Sequence, residues 1–304
     1  MKKILFLAAF ALTMSVQAQN DYDDVMAAMI AAKIHQDRID VSSIGAVYEY
    51  TCQTQDADGQ TVTDGMKLAL QIGSRCTRSF PYRKFLKEQE RTTDGTREFM
   101  DGYDFMNPDE ILLLRAESYC HVPEVWTNYS DEMMTVRDAI APTIYETREK
   151  RKAIDWTLSN DTITIGDYLC KTATCKLNGQ RWTVRYSEEI PTTAGPWKLC
   201  GLPGLIVAAE TADGIHRFTI SDIIRTASPI YYETNAITTK ISEEKLVKMR
   251  NKTFGNRLYL KNPMYYITDH SAADEVHDTE GILINGVYVN RKAHVYQPLE
   301  LKFR

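Results

Sequence analysis

YLCKTATCKLNGQRWTVRYS, residues 168–187, is the stretch whose reading decides the fold. Asn178-Gly179 suits a type I′ turn, in which both central residues need positive φ. A two-residue loop there fixes the register. Cys175 faces Trp182, Ala173 faces Val184, and Lys171 faces Tyr186 on the more apolar face. Asp213-Gly214 predicts a second hairpin, in which Glu210 opposes Arg217 and Leu205, Val207, Ala209, Phe218 and Ile220 share a face. Asn285-Gly286 predicts a third, pairing Ile284 with Val287 and Leu283 with Tyr288. Three such hairpins favour an antiparallel sheet over βαβ units.

Further outward, 46–53, 66–72, 111–116 and 163–165 also read as strands. Residues 21–34 read as a helix with Asp21, Asp23 and Asp24 in the first turn, where the helix dipole favours acids. Residues 242–254 read as another, capped by Ser242 and ended by Gly255. Short helices are predicted at 85–91 and 131–140. The expected fold is mainly β (α+β): one domain over 19–304, a curved antiparallel sheet or open barrel with a few helices.

Residues 1–18 read as a secretory signal. Lys2 and Lys3 precede an apolar run over 4–12, and Val16-Gln17-Ala18 places small residues for cleavage after Ala18. The apolar run is far short of the ~20 residues that a spanning helix needs. Loss of its two lysines takes the formal charge from −5 to −7. A mildly acidic chain has no electrostatic footprint for nucleic acid. Cys52, Cys76, Cys120, Cys170, Cys175 and Cys200 make an even set, which favours disulfides in an exported chain but leaves connectivity open. Cys170 and Cys175 point to opposite faces of one strand. Cys175 with Cys200 is the preferred pair in this region; buried free thiols are the alternative.

The run Gly195-Pro196-Trp197-Lys198-Leu199-Cys200-Gly201-Leu202-Pro203-Gly204-Leu205-Ile206 concentrates turn formers ahead of an apolar strand. Leu202-Pro203-Gly204-Leu205 suits a type II turn with positive φ at Gly204. Gly201 to Ile206 spells the motif that names the GLPGLI family of exported bacterial proteins, and the chain resembles that family. Trp156, Ile165-Gly166-Asp167-Tyr168-Leu169-Cys170-Lys171, Arg181-Trp182, Tyr186-Ser187-Glu188-Glu189-Ile190-Pro191 and Gly195-Pro196 follow its pattern in order. The ending Tyr296-Gln297-Pro298-Leu299-Glu300-Leu301 is similar to the family's usual C-terminus. The resemblance is dense over 155–225. Arg185 departs from it where relatives often carry Trp, and no pairing for Cys175 or Cys200 comes with it. It implies a periplasmic or outer-membrane-associated protein of Bacteroides-type bacteria, often encoded near TonB-dependent receptors. It supplies no catalytic residue.

The residues themselves offer little reactive chemistry. None of the six His makes a zinc pattern, and the acidic loop 269–280 lacks calcium-hand spacing. Cys120 and His121 are adjacent, so on a strand they face apart. No nucleophile elbow, P-loop or dinucleotide fingerprint is present. No catalytic residue, metal ligand or cofactor is assigned. Trp182 and Trp197 are the best candidates for an aromatic binding groove. The leading reading is a non-catalytic envelope binding or accessory protein with a TonB-dependent outer-membrane receptor as candidate partner. A periplasmic carrier of a lipid or other apolar ligand is the alternative, and a hydrolase or thiol enzyme comes last.

Overall fold

The structure, a computed structural model, describes residues 33–55, 59–89, 96–98, 121–140, 143–234, 238–255, 281–284, 287–290 and 295–301. Strands come first: β1 (Lys33–Gln55), β2 (Thr61–Gly73) and β3 (Cys76–Pro81), then helix α1 (Tyr82–Gln89). β4 (Thr96–Glu98), β5 (Glu124–Asn128), β6 (Met133–Ile140), β7 (Thr143–Lys150), β8 (Thr157–Ile165), β9 (Tyr168–Leu177) and β10 (Gln180–Ser187) follow. The chain continues with β11 (Leu205–Thr211), β12 (His216–Ile224), β13 (Ser228–Glu233), β14 (Thr238–Lys240), α2 (Glu243–Phe254), β15 (Gly281–Ile284) and β16 (Val287–Asn290).

All but the last two strands form one open 14-stranded sheet in the order β14-β7-β6-β5-β3-β2-β1-β12-β11-β10-β9-β8, with β13 and β4 pairing β1 off that path. Every pairing in it is antiparallel except β14 with β7. The mainly β, antiparallel expectation therefore holds.

The hairpin registers match the turn chemistry. Cys175 pairs Trp182, Ala173 pairs Val184 and Lys171 pairs Tyr186, with Asn178 at φ 49° and Gly179 at φ 86°. Glu210 pairs Arg217, and their side chains meet at 3.1 Å. Ile284 pairs Val287 and Leu283 pairs Tyr288; Asn285 and Gly286 lie outside the described residues.

Several expectations need correction. Residues 133–140 are a strand, not part of a helix. Asp131, the first residue of the predicted helix, instead accepts a 3.0 Å bond from the Met133 N–H in a turn where Glu132 has φ 55°. That Asx turn joins β5 to β6 in an antiparallel hairpin. Lys33 and Ile34, the end of the expected N-terminal helix, belong to β1. The rest of that helix, strand 111–116 and loop 269–276 with 277–280 lie outside the described residues. Gly204 does not take positive φ; in this run Trp197 (54°) and Gly201 (98°) do. A bulge between Arg185 and Tyr186 sets Ile206 opposite Tyr186, so Ile206, not Val207, joins Ala209 and Phe218 in the main core.

The sheet buries both faces over its middle strands. On the first face, Tyr48, Tyr50, Leu68, Leu70, Trp182, Tyr186 and Phe218 meet residues from outside the sheet: Trp197, Leu199, Leu202, Leu246, Phe254 and Leu299. These come from the 190–204 loop, α2 and the segment 295–301. Each full-sized apolar side chain buried there contributes about 1.5–3 kcal/mol. On the second face, α1 and β13 cover β3, β5 and β6. Ala69 and Phe80 pack with Phe85, and Cys76 and Trp126 pack with Ile230. Helix α2 starts where Ser242 accepts from the Lys245 N–H and presents Leu246, Val247, Arg250 and Phe254 inward.

Candidate functional site

The GLPGLI-type run is a buried connector. Gly201 N–H donates to the Thr193 carbonyl at 2.7 Å and Leu205 N–H to the Ile190 carbonyl at 3.1 Å, folding the loop upon itself. Trp197 N–H donates to Ser79 Oγ on β3 at 2.9 Å, and Trp156 Nε1 donates to the Cys200 carbonyl at 3.1 Å. Leu199 and Leu202 enter the core. Trp182 and Trp197 lie together, ring centroids 5.8 Å apart, but are only 1% and 3% exposed. They pack tilted against each other within the core, with an angle of 40° between ring planes, rather than line an open groove.

Lys198 links this loop to two other elements. Its Nζ lies 2.5 Å from Glu243 of α2 and 2.5 Å from Glu300 near the C-terminus. Arg250 of α2 lies 2.5 Å from the other Glu300 oxygen and 2.6 Å from Asp138 of β6. His121 bonds the same Asp138 carboxylate. Burial alone would raise the Asp138 carboxyl, but Arg250 and His121 outweigh it and hold it well below the usual carboxylate range. Burial likewise opposes ionisation of Glu300, and Lys198 and Arg250 overcome it and hold that carboxyl low. A second buried network lies on the other face. Arg78 grips Glu88 and Glu124, and Arg137 bonds Glu146 and Glu233. Only Lys198 and Glu300 fall within motifs that the sequence singles out. Arg250 carried a weak signal, a basic residue at four-residue spacing from Leu246 and Phe254.

A third polar group crosses the first face. Asp64, Cys52 and His216 are direct cross-strand neighbours on β2, β1 and β12. Directly paired residues point to one side of a sheet. His216 Nε2 is 3.2 Å from the Pro298 carbonyl, so it carries the proton, and Nδ1 accepts from the Tyr50 hydroxyl at 2.8 Å. Burial pushes His216 down to about 4 and Asp64 up to about 6. Burial, then the Asp64 charge, pushes the Cys52 thiol up to about 12. These shifts leave a neutral imidazole and a protonated thiol, which is not an activated nucleophile.

The described cysteines Cys52, Cys76, Cys170, Cys175 and Cys200 are free thiols; Cys120 lies outside the described residues. The expected Cys175–Cys200 bond is absent because the two sulfurs are directed elsewhere. Cys175 belongs to the core row with Trp182, while Cys200 Sγ lies 3.3 Å from Arg151 Nη1. Cys200 opens on a small cleft with Tyr129, Arg151, Thr193 and Trp197, of about 10 Å³, roughly enough for one water. Among the described residues, no group of His, Cys, Asp and Glu is placed to hold a metal ion. Among them too, no helix is long and apolar enough to cross a membrane.

No family model matches the chain, and no curated protein matches it. Solved structures similar to it include PNGF-II in two crystal forms. These are 14% and 15% identical with TM-scores of 0.39 and 0.40, over 68% and 69% of this chain. The chain spans about a third of PNGF-II, 33% and 34% of its length in the two forms. A DUF1329 family protein from Desulfovibrio piger is 12% identical with a TM-score of 0.23, over 74% of this chain and 96% of its own length.

Proposed function

We propose that the chain is an exported envelope protein of the GLPGLI type that works by binding, as an accessory to a TonB-dependent outer-membrane receptor. One observation carries the reading: large apolar side chains left exposed on one face at the free end of the sheet. Leu158 and Leu169 of the outer hairpin β8–β9 are 59% and 55% exposed and share a face with Ala173, whereas Ile163, 47% exposed, pairs Cys170 and points to the other side. β8 ends the strand order, yet a register break between Ser159 and Thr162 interrupts it. Such a break discourages indiscriminate strand addition at an edge. The partner therefore meets side chains here rather than extending the sheet. Large apolar side chains held exposed on one face of a rigid edge hairpin are available to a protein partner.

The carrier reading has less support. The face on which an apolar ligand would rest is occupied by Leu199, Leu202, Leu246, Phe254 and Leu299 of the chain itself. In vivo cross-linking with an affinity-tagged chain tests the proposal. Repeated recovery of a TonB-dependent receptor is the expected result; consistent recovery of none contradicts it.

A further inference from the structure

The segment 295–301 lies on the first face as an extended peptide lies in a receptor. Its main chain is held along its length. Val295 N–H donates to the Gln55 carbonyl and Leu301 N–H to the Asn178 carbonyl, at 2.8 and 2.9 Å. Thr54 donates to the Val295 carbonyl. His216 and Gln180 both reach the Pro298 carbonyl, at 3.2 and 3.4 Å. Asn251 Nδ2 donates to the Glu300 carbonyl at 2.7 Å.

Side chains add selectivity. The Tyr296 ring packs on Phe254 with centroids 5.4 Å apart, and Leu299 fills the core. The Glu300 carboxylate, fully buried, meets Lys198, Arg250 and the Asn178 amide. Main-chain bonds give affinity and side-chain pockets give selectivity, the usual division in recognition of extended peptides. The fit is incomplete. The Tyr296 hydroxyl, Asn251 Oδ1 and Arg250 Nη2 are buried without hydrogen-bond partners. An occupant with orphaned polar atoms is held less firmly than its burial implies.

We propose that this groove is a peptide-recognition site and that the chain's own C-terminal segment fills it as a releasable strap. The partner it fits is an extended peptide of the pattern tyrosine, any residue, proline, leucine, glutamate. Its carboxylate takes the place of Glu300 between Lys198 and Arg250. The groove is separate from the β8–β9 surface, so this inference stands or falls apart from the receptor reading. Cys52 reports on it, because this buried thiol lies on the groove floor between Asp64 and His216.

The test alkylates the native full chain and its Glu300→Gln variant and assigns the modified thiols by mass spectrometry. Cys52 is expected to react at least tenfold faster in the variant. Excess synthetic peptide of residues 295–301 should return it to the wild-type rate, and the same peptide with glutamine for glutamate should not. An unchanged Cys52 rate, or no protection by the peptide, overturns the proposal. Cys76, buried on the second face with Trp126 and Ile230, serves as the folding control. Should it react together with Cys52, hydrogen exchange on the wild type decides. Release of the strap predicts that the Val295 and Leu301 amides exchange at least tenfold faster than the β1 amides beneath them. Exchange of all of them at one common rate overturns the proposal.

Discussion

Gly204 lies against Ser187 so closely that a Cβ added to it would sit 2.2 Å from the Ser187 carbonyl oxygen. The same Cβ would also meet the Ser187 carbonyl carbon and the Glu188 nitrogen, at 2.5 and 2.8 Å. All three are backbone atoms, which cannot swing aside as a side-chain tip does. The glycine therefore serves close approach of two backbone segments, not a special φ. Gly204→Val should lower stability by about 3 kcal/mol or more, beyond the usual range for overpacking. Soluble yield and thermal melting check it. A variant with wild-type yield and melting would show that the motif is a functional surface.

Arg250 is buried between Asp138 and Glu300. Arg250→Met keeps helix propensity and most of the side-chain volume but leaves two carboxylates facing each other's field. Removing one member of a buried ion pair costs about 3–5 kcal/mol. Urea unfolding at neutral pH measures the loss. Because Asp138 and Glu300 are held below their unfolded values, their stabilisation is complete above the ordinary carboxylate range and is lost as pH falls through the folded values. The acid limb of stability against pH should therefore be shallower in the variant.

Asp64 behaves in the opposite sense. Burial raises its carboxyl to about 6, so the folded chain holds that proton more tightly than the unfolded chain. The associated stability is present below pH ~4 and is lost as pH rises through 6. Asp64→Asn should remove that loss and stabilise the protein at pH 7 by on the order of 2 kcal/mol. Denaturant midpoints at pH 4.5 and pH 7, compared between the two proteins, read it directly. Equal pH dependence in both would show that Asp64 ionises normally.

The thiols give a prediction about redox state. Burial is the first cause that pushes Cys52, Cys76 and Cys175 up to about 12, whereas Cys200 is half-buried beside Arg151. A thiolate, not a thiol, reacts with alkylating agents. Brief treatment of the native protein should modify Cys200 well ahead of those three. A non-reduced peptide map showing Cys175 bonded to Cys200 contradicts the structure on this point.

The hairpins were legible because their information is local. Asn178-Gly179 fixes a turn, a turn fixes a register, and the register places Cys175 against Trp182. Residues 131–140 were not, since Asp131 serves equally well as a helix cap or in an Asx turn, and the choice rests on pairing with β7. The bulge that exchanges Ile206 for Val207 arises between strands and has no signal within either. The charged groups were the least legible. Asp138, Lys198, Arg250 and Glu300 are separated by up to 162 positions, from 138 to 300, and each looks like an ordinary surface residue. Only the fold of the 190–204 loop, α2 and the 295–301 segment onto one face brings them together.

The exposed leucines on one face of the outer hairpin carry the functional proposal, and a paired measurement on them tests that proposal most directly. Leu158→Asp with Leu169→Asp changes two exposed side chains, and exposed substitutions of this kind usually shift stability by no more than about 0.5 kcal/mol each. The doubly substituted, tagged protein should melt like the wild type and lose its cross-link to the TonB-dependent receptor. An undiminished cross-link from a normally folded double variant would contradict the account.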